Sequence, residues 1–159
     1  MSAHSTEAKT ILDILPLEAI KVPFEATSKQ EAIDGLIELL AEHGHVEDPD
    51  EIKRVVWERE NQRSTGIGEG VAIPHGKSPV LSKLRLAIGI LPEAIDFDSI
   101  DGRPVGFVAL LVSPTERIAE HIQALGRVSR LLNDEGFREA ACRVTGPGEL
   151  HEHIRSLQG

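Results

Sequence analysis

The sequence predicts a single α/β domain, built on a mixed sheet of about five strands with helices on both sides. Two observations carry that expectation. Segments with apolar residues at helical spacing are interleaved with continuous apolar runs of strand length, and the helices are numerous enough to cover both faces of one sheet. A chain of 159 residues is also long enough for one real core and too short for two ordinary domains.

The elements follow in order. Residues 1 to 10 are polar and read as a flexible N-terminal segment, ahead of a domain over 11–157. Ile11, Leu12, Ile14 and Leu15 make a short helical turn that ends at Pro16, and Ile20-Lys21-Val22 makes a strand that Pro23 confines to an edge or an end. Ile33, Leu36, Ile37 and Leu40 recur at i, i+3, i+4 and i+7, with Ser28 as the cap and Gly44 as the stop. A second helix opens at Asp48-Pro49, with Glu51 three residues after the cap. Its apolar face is Ile52, Val55 and Val56, and Arg59 is the next position on that stripe. Periodicity is lost from Ser64 to Ser78. Strands follow over 84–91 and 105–112, with a polar turn between them and Pro114 ending the second. A third helix should bury Ile118, Ile122, Leu125, Val128 and Leu132, and two more helices are expected over 137–144 and 147–157.

Composition excludes several functions. There are 17 Lys plus Arg against 26 Asp plus Glu, a net charge of -9, with four Phe, one Trp and no Tyr. A nucleic-acid reader would bring basic patches and stacking aromatics, so a basic protein surface is the more plausible partner. The single cysteine, Cys142, rules out an internal disulfide and a cysteine zinc cluster; in its alanine-rich setting it reads as a small buried apolar residue. No signal-peptide pattern or membrane-length apolar run is present, which predicts a cytoplasmic protein without membrane insertion.

The chemistry concentrates in the aperiodic segment. Gly66, Gly68, Gly70 and Gly76 crowd around Val71-Ala72-Ile73-Pro74-His75. A P-loop would need glycine where Val71 stands, and a dinucleotide fingerprint needs G-x-G-x-x-G where this chain has G-x-G-x-G. What remains is a histidine at the end of a short strand held rigid by Pro74. Imidazole, with a reference pKa of about 6.5, presents a neutral nucleophilic nitrogen near pH 7. Backbone N–H groups around Gly76, the hydroxyls of Ser64 and Thr65, and Arg59 could supply donors to phosphoryl oxygens. Residue type alone leaves open a strand-end histidine that only packs. Arg59 has the alternative of snorkelling or ion pairing, and His121, on an apolar helix face, that of an ordinary satisfied core residue. His43 and His45, and His151 and His153, are two apart, the wrong spacing for a helical zinc pair, and no metal is expected.

The stretch from Arg59 to Lys77, Arg59-Glu60-Asn61-Gln62-Arg63-Ser64-Thr65-Gly66-Ile67-Gly68-Glu69-Gly70-Val71-Ala72-Ile73-Pro74-His75-Gly76-Lys77, closely resembles the signature of EIIA domains of the fructose/mannitol type. These belong to the bacterial phosphoenolpyruvate-dependent phosphotransferase system. The likeness extends through Ala94 to Asp98, Ala109 to Val112 and His121-Ile122, and covers roughly residues 11 to 157. It implies a phosphorylated histidine at His75, a second site histidine at His121 and the site arginine at Arg59. Thr65 and Gly66 fall in the hydroxyl-glycine positions. The resemblance implies no cofactor, and an HPr-type phosphocarrier as phosphoryl donor. The Ser-Thr-Gly-Ile-Gly run, the Ala-Ile-Pro-His-Gly-Lys ending and the absence of a fused EIIB or EIIC segment look most like the nitrogen-regulatory branch. That branch consists of regulators whose phosphorylation state controls binding to other proteins. The alternative is a sugar-transport component that hands phosphate to a separate EIIB. A nucleotide-binding enzyme rests only on the near-miss glycines. Glu69 fills a variable position and receives no catalytic role.

Overall fold

The computed structural model describes residues 10–158; of the expected flexible N-terminal segment all but Thr10 lies outside that range. The strands are β1 (Ile20–Lys21), β2 (Gly66–Gly68), β3 (Val71–Ala72), β4 (His75–Ser78), β5 (Arg85–Ile95) and β6 (Val105–Pro114). The helices are α1 (Lys29–Glu42), α2 (Pro49–Gln62), α3 (Ile118–Leu132), α4 (Glu135–Ala141) and α5 (Pro147–Gln158). The sheet runs β1-β5-β6-β3-β2, with β4 also on β6. β3 and β4 are one line of chain along a single edge of β6, since Val71 pairs Phe107 and His75 pairs Leu111 in the same register. The sheet is therefore five strands wide. It is mixed: β5 is antiparallel to β6, whereas β3 and β4 are parallel to it.

Local chemistry sets the helix starts as the spacing predicts. The Ser28 hydroxyl accepts from Glu31 N at 3.1 Å, and the Asp48 carboxylate accepts from Glu51 N at 3.3 Å with Pro49 in the first turn. α1 buries Ile33, Leu36, Ile37 and Leu40 completely, and Gly44 takes the positive φ that follows the helix end. β1 is the edge strand that Pro23 requires.

The helices cover both faces, and strand alternation decides which side chain meets which helix. Gly76, Val112 and Arg85 lie in one register row, and Gly76 faces α2. His75, Leu111 and Leu86 form the next row and face the other way. On that second face the His75 ring meets His121 of α3, and Phe107 meets Phe137 of α4 edge to face at 5.9 Å.

Three expectations are corrected. α2 buries Ile52, Val56 and Glu60, one residue per turn on the i, i+4 line, so Arg59 stands beside the buried stripe and half exposed. α3 buries His121, Ala124, Val128 and Leu132, and leaves Ile118 and Ile122 outside at 54% and 62% exposure. Cys142 is exposed, because it caps α4 one position past the buried Phe137–Ala141 stripe.

Phe24 is a packing feature that periodicity did not signal. Its ring fills the gap between Gly35 of α1 and Gly89 of β5, and a Cβ on Gly89 would fall 2.4 Å from Phe24 Cδ2. Gly89→Val should therefore cost about 1–3 kcal/mol by forcing that ring aside. Urea denaturation checks this, with Gly106→Ala as the comparison. The new Cβ there meets nothing closer than 3.6 Å, so little change is expected.

Candidate functional site

The aperiodic glycine segment is a tight hairpin followed by the line β3–β4. Gly68, Glu69 and Gly70 all have positive φ, of 97°, 59° and 80°, which explains two of the glycines by backbone conformation alone. The other two are explained by close packing. A Cβ on Gly66 would sit 2.2 Å from Ser99 Oγ, and one on Gly76 would sit 3.0 Å from Val56 Cγ2. Gly76 thus lets α2 lie against β4. Its side-chain space is filled by Val55 and Val56.

His75 begins β4 rather than ending a strand, because Pro74 interrupts the line just before it. The Pro74 carbonyl still accepts from Leu111 N at 3.0 Å, so the chain stays in register across the interruption. His75 Nδ1 lies 2.8 Å from the Ile73 carbonyl. A carbonyl can only accept, so Nδ1 carries the proton and Nε2 presents its lone pair. Ile73 N in turn donates to Thr65 O at 3.0 Å.

His121 is buried, and its ring centroid is 5.6 Å from that of His75, tilted by 55°. Its Nδ1 is 2.7 Å from the hydroxyl of Ser113, a fully buried residue of β6 whose role no sequence pattern announced. Burial is the main reason that the His75 imidazole titrates below the usual histidine value. Arg59 and Lys77 add to that effect, while the bond to Ile73 and the charge of Glu60 oppose it. Burial, then the neighbouring His75 and Lys77, lowers His121 to about 4. Both rings are therefore neutral at pH 7.

A pocket of about 410 Å³ opens beside His75. Arg59, Arg63, Ser64, Thr65 and Gly66 line it on one side, and Leu125 and Ser129 of α3 on the other. The Arg59 guanidinium donates to Arg63 O at 2.7 Å, covering a carbonyl at the end of α2 and leaving its other N–H groups uncommitted in that bond. The fold brings Arg59, Ser64, Thr65, Gly66, His75 and His121 to one locality. Their roles are nevertheless unequal. Ser64 Oγ donates to Phe97 O at 2.6 Å and accepts from Gly66 N, and Thr65 Oγ1 donates to Glu60 at 2.5 Å. Each hydroxyl has one proton. The donor role expected of Ser64 and Thr65 is thus corrected here to a structural one, since both protons are directed into the protein.

Glu60 is the residue that sequence reasoning passed over. It is only 3% exposed, yet its carboxylate accepts from Thr65 N at 3.0 Å, from Thr65 Oγ1, and from Lys29 Nζ at 3.1 Å. Its sequence signal was the i+4 spacing from Val56, which an acidic residue type obscured.

The pocket also has apolar lining. Ile67 and Ile100 line it, and Ile118 and Ile122 stand exposed on α3, flanking His121 in sequence. Residues 13–157 match the family described as "Phosphoenolpyruvate-dependent sugar phosphotransferase system, EIIA 2". The chain belongs to that family. It is 39% identical over 127 residues to a "Nitrogen regulatory protein" of Bradyrhizobium diazoefficiens, covering 79% of this chain and 81% of the relative. It is 36% identical over 129 residues to a "PTS system fructose-specific EIIA component" of Haloferax volcanii, covering 81% and 84%. Its fold matches the "Nitrogen Regulatory Protein IIA-Ntr" of Neisseria meningitidis with a TM-score of 0.82 at 27% identity, over 89% of this chain and 97% of that one. Against the fructose-specific EIIABC component of Bacillus subtilis, at 34% identity, it spans only 20% of the relative's length. As an EIIA domain the chain is a phosphotransfer component, and among its described residues no helix is long and apolar enough to cross a membrane.

Because both imidazoles are held below the unfolded value of about 6.5, the unfolded chain takes up protons first as pH falls. Stability is therefore full above about pH 6.5 and declines below it, until the His121 contribution is lost near 4. Histidine ring NMR should show His121 neutral at pH 5.5, with the His75 midpoint below 6.5. Midpoints at or above the free value would contradict the buried, positively flanked setting.

Proposed function

We propose that this chain is a phosphohistidine carrier that accepts a phosphoryl group on His75 from an HPr-type protein, and that it acts mainly as a regulatory switch of the nitrogen-branch kind. The observation that carries the reading is the Nδ1 bond to Ile73 O, which leaves Nε2 as a neutral nucleophile at the mouth of an arginine-lined pocket. In the transfer, the Nε2 lone pair attacks phosphorus and forms the new P–N bond. The bond from phosphorus to the donor's histidine breaks, and its electron pair returns to that ring. The positive charge that develops on His75 is shared with Nδ1–H, where Ile73 O accepts the hydrogen bond. Arg59 supplies positive charge to the phosphoryl oxygens. With Ser113 Oγ donating to His121 Nδ1, His121 Nε2 keeps its proton and acts as a neutral donor beside the phosphoryl group.

The exposed isoleucines support a protein partner, because an apolar rim is what a second surface would cover. Phosphorylation would place about -1.5 to -2 charges beside that rim, enough to release one partner or admit another. The motif likeness to the nitrogen-regulatory branch and the similarity to the Bradyrhizobium protein favour regulation. A second reading is a sugar-transport component passing phosphate to a separate EIIB, and the likeness to the Haloferax protein favours it.

With phosphoenolpyruvate and the general phosphotransferase proteins, His75→Ala should lose all acid-labile phosphorylation; full labelling of that variant would sink the assignment. His121→Ala and Arg59→Ala should fold and transfer more slowly, by about 10²–10³-fold if each removes a donor to the transferring group. Stopped reactions with labelled phosphoenolpyruvate measure this. To separate the two readings, pull-downs with the phosphorylated and unphosphorylated protein should recover different partners. Identical sets, together with fast transfer to an EIIB of the host, would favour transport.

A further inference from the structure

We infer that Glu60 is a positioning residue for His75, acting through Thr65 and Ile73 to hold the imidazole in the tautomer that presents Nε2. The inference rests on the carrier reading above for what the ring does, and on hydrogen-bond geometry for how the ring is held.

The contacts form one unbroken path. Lys29 Nζ, from the first turn of α1, lies 3.1 Å from Glu60 and 3.2 Å from Asp98, and stands 5.4 Å from the centre of the Phe97 ring. The Glu60 carboxylate takes both the N–H and the hydroxyl of Thr65. The Thr65 carbonyl receives Ile73 N at 3.0 Å, and the Ile73 carbonyl receives His75 Nδ1 at 2.8 Å. Ser64 ties the same turn to Phe97 O at 2.6 Å, so the segment from Arg63 to Gly66 is fastened on both sides.

Stability alone does not account for this arrangement. Removing a carboxylate and an ammonium from water is costly, and well-packed apolar residues of similar volume often serve as well or better. A buried carboxylate does what an apolar residue cannot: it binds two donors of one residue at once and so fixes that residue's orientation. Thr65 is the residue whose carbonyl aligns Ile73, and the Ile73 carbonyl is the acceptor for the His75 ring. Glu60 also follows Arg59 directly, so the same anchor sets the end of α2 from which Arg59 reaches the pocket. Its negative charge acts on His75 against those of Arg59 and Lys77.

Glu60→Gln keeps the shape and removes the charge. Thr65→Val keeps the volume and the backbone N–H bond and removes only the hydroxyl. In the wild type, ¹⁵N NMR of the His75 ring should show the Nδ1–H tautomer. Both variants should show a rise of the Nε2–H form, with kcat for phosphoryl acceptance down by about tenfold or more and KM for the donor within about twofold. If either variant folds with the tautomer unchanged and kcat within about twofold of the wild type, the inference is overturned. If both lose the native fold, the network serves folding and the positioning role falls with it. A wild-type protein that cannot be labelled from phosphoenolpyruvate would instead defeat the carrier reading, while the tautomer comparison would still decide the role of Glu60.

Discussion

The register between β4 and β6 is the constraint on which the rest of the structure depends. With His75 opposite Leu111 and Gly76 opposite Val112, alternation sends the imidazole to the α3 face and turns the glycine toward α2. A slip of one residue would exchange them, driving a histidine into Val56 and leaving α3 to face a glycine. β6 is buried along nearly its whole length, from Val105 to Pro114, so burial specifies the register strongly. Pro74 interrupts the ladder formally, yet its carbonyl still pairs with Leu111, and the strand keeps its line where His75 projects.

On that frame the site is assembled from groups that limit one another's freedom. The Ile73 carbonyl takes one ring nitrogen of His75 and leaves the other, and the Ser113 hydroxyl orients His121. Burial holds both rings below the usual histidine value and so favours their neutral forms at neutral pH. Arg59 brings the positive charge without burying it, because it stands beside the packed stripe of α2 rather than on it. The hydroxyls that looked available are occupied in holding the turn, and Glu60 is the centre of that hold.

The helix above the site also divides its labour. By burying His121, Ala124, Val128 and Leu132, α3 leaves Ile118 and Ile122 to the surface next to the histidine pair. Their exposure leaves apolar surface on the helix that carries His121, the kind of surface that a protein partner covers.

The sequence by itself determined most of the elements and singled out the segment in which the candidate histidine lies. Capping at Ser28 and Asp48, the apolar periodicity of α1, the strand runs of β5 and β6, and the Pro-His-Gly ending are local signals, and each reads from neighbouring residues. The tertiary structure alone decided which side of each helix is the inner one. On α2 Arg59 and Glu60 are both charged, so hydrophobicity cannot choose between them, and on α3 packing against the sheet buries His121 and exposes Ile122 against their hydrophobicity. It also decided what the glycines are for: two meet positive φ and two meet a neighbouring atom, a distinction invisible before Val56 and Ser99 are in place. Ser113 and Glu60 were unreadable for the same reason. A buried polar group declares its purpose only through partners distant in the chain, His121 across a strand end and Lys29 from another helix.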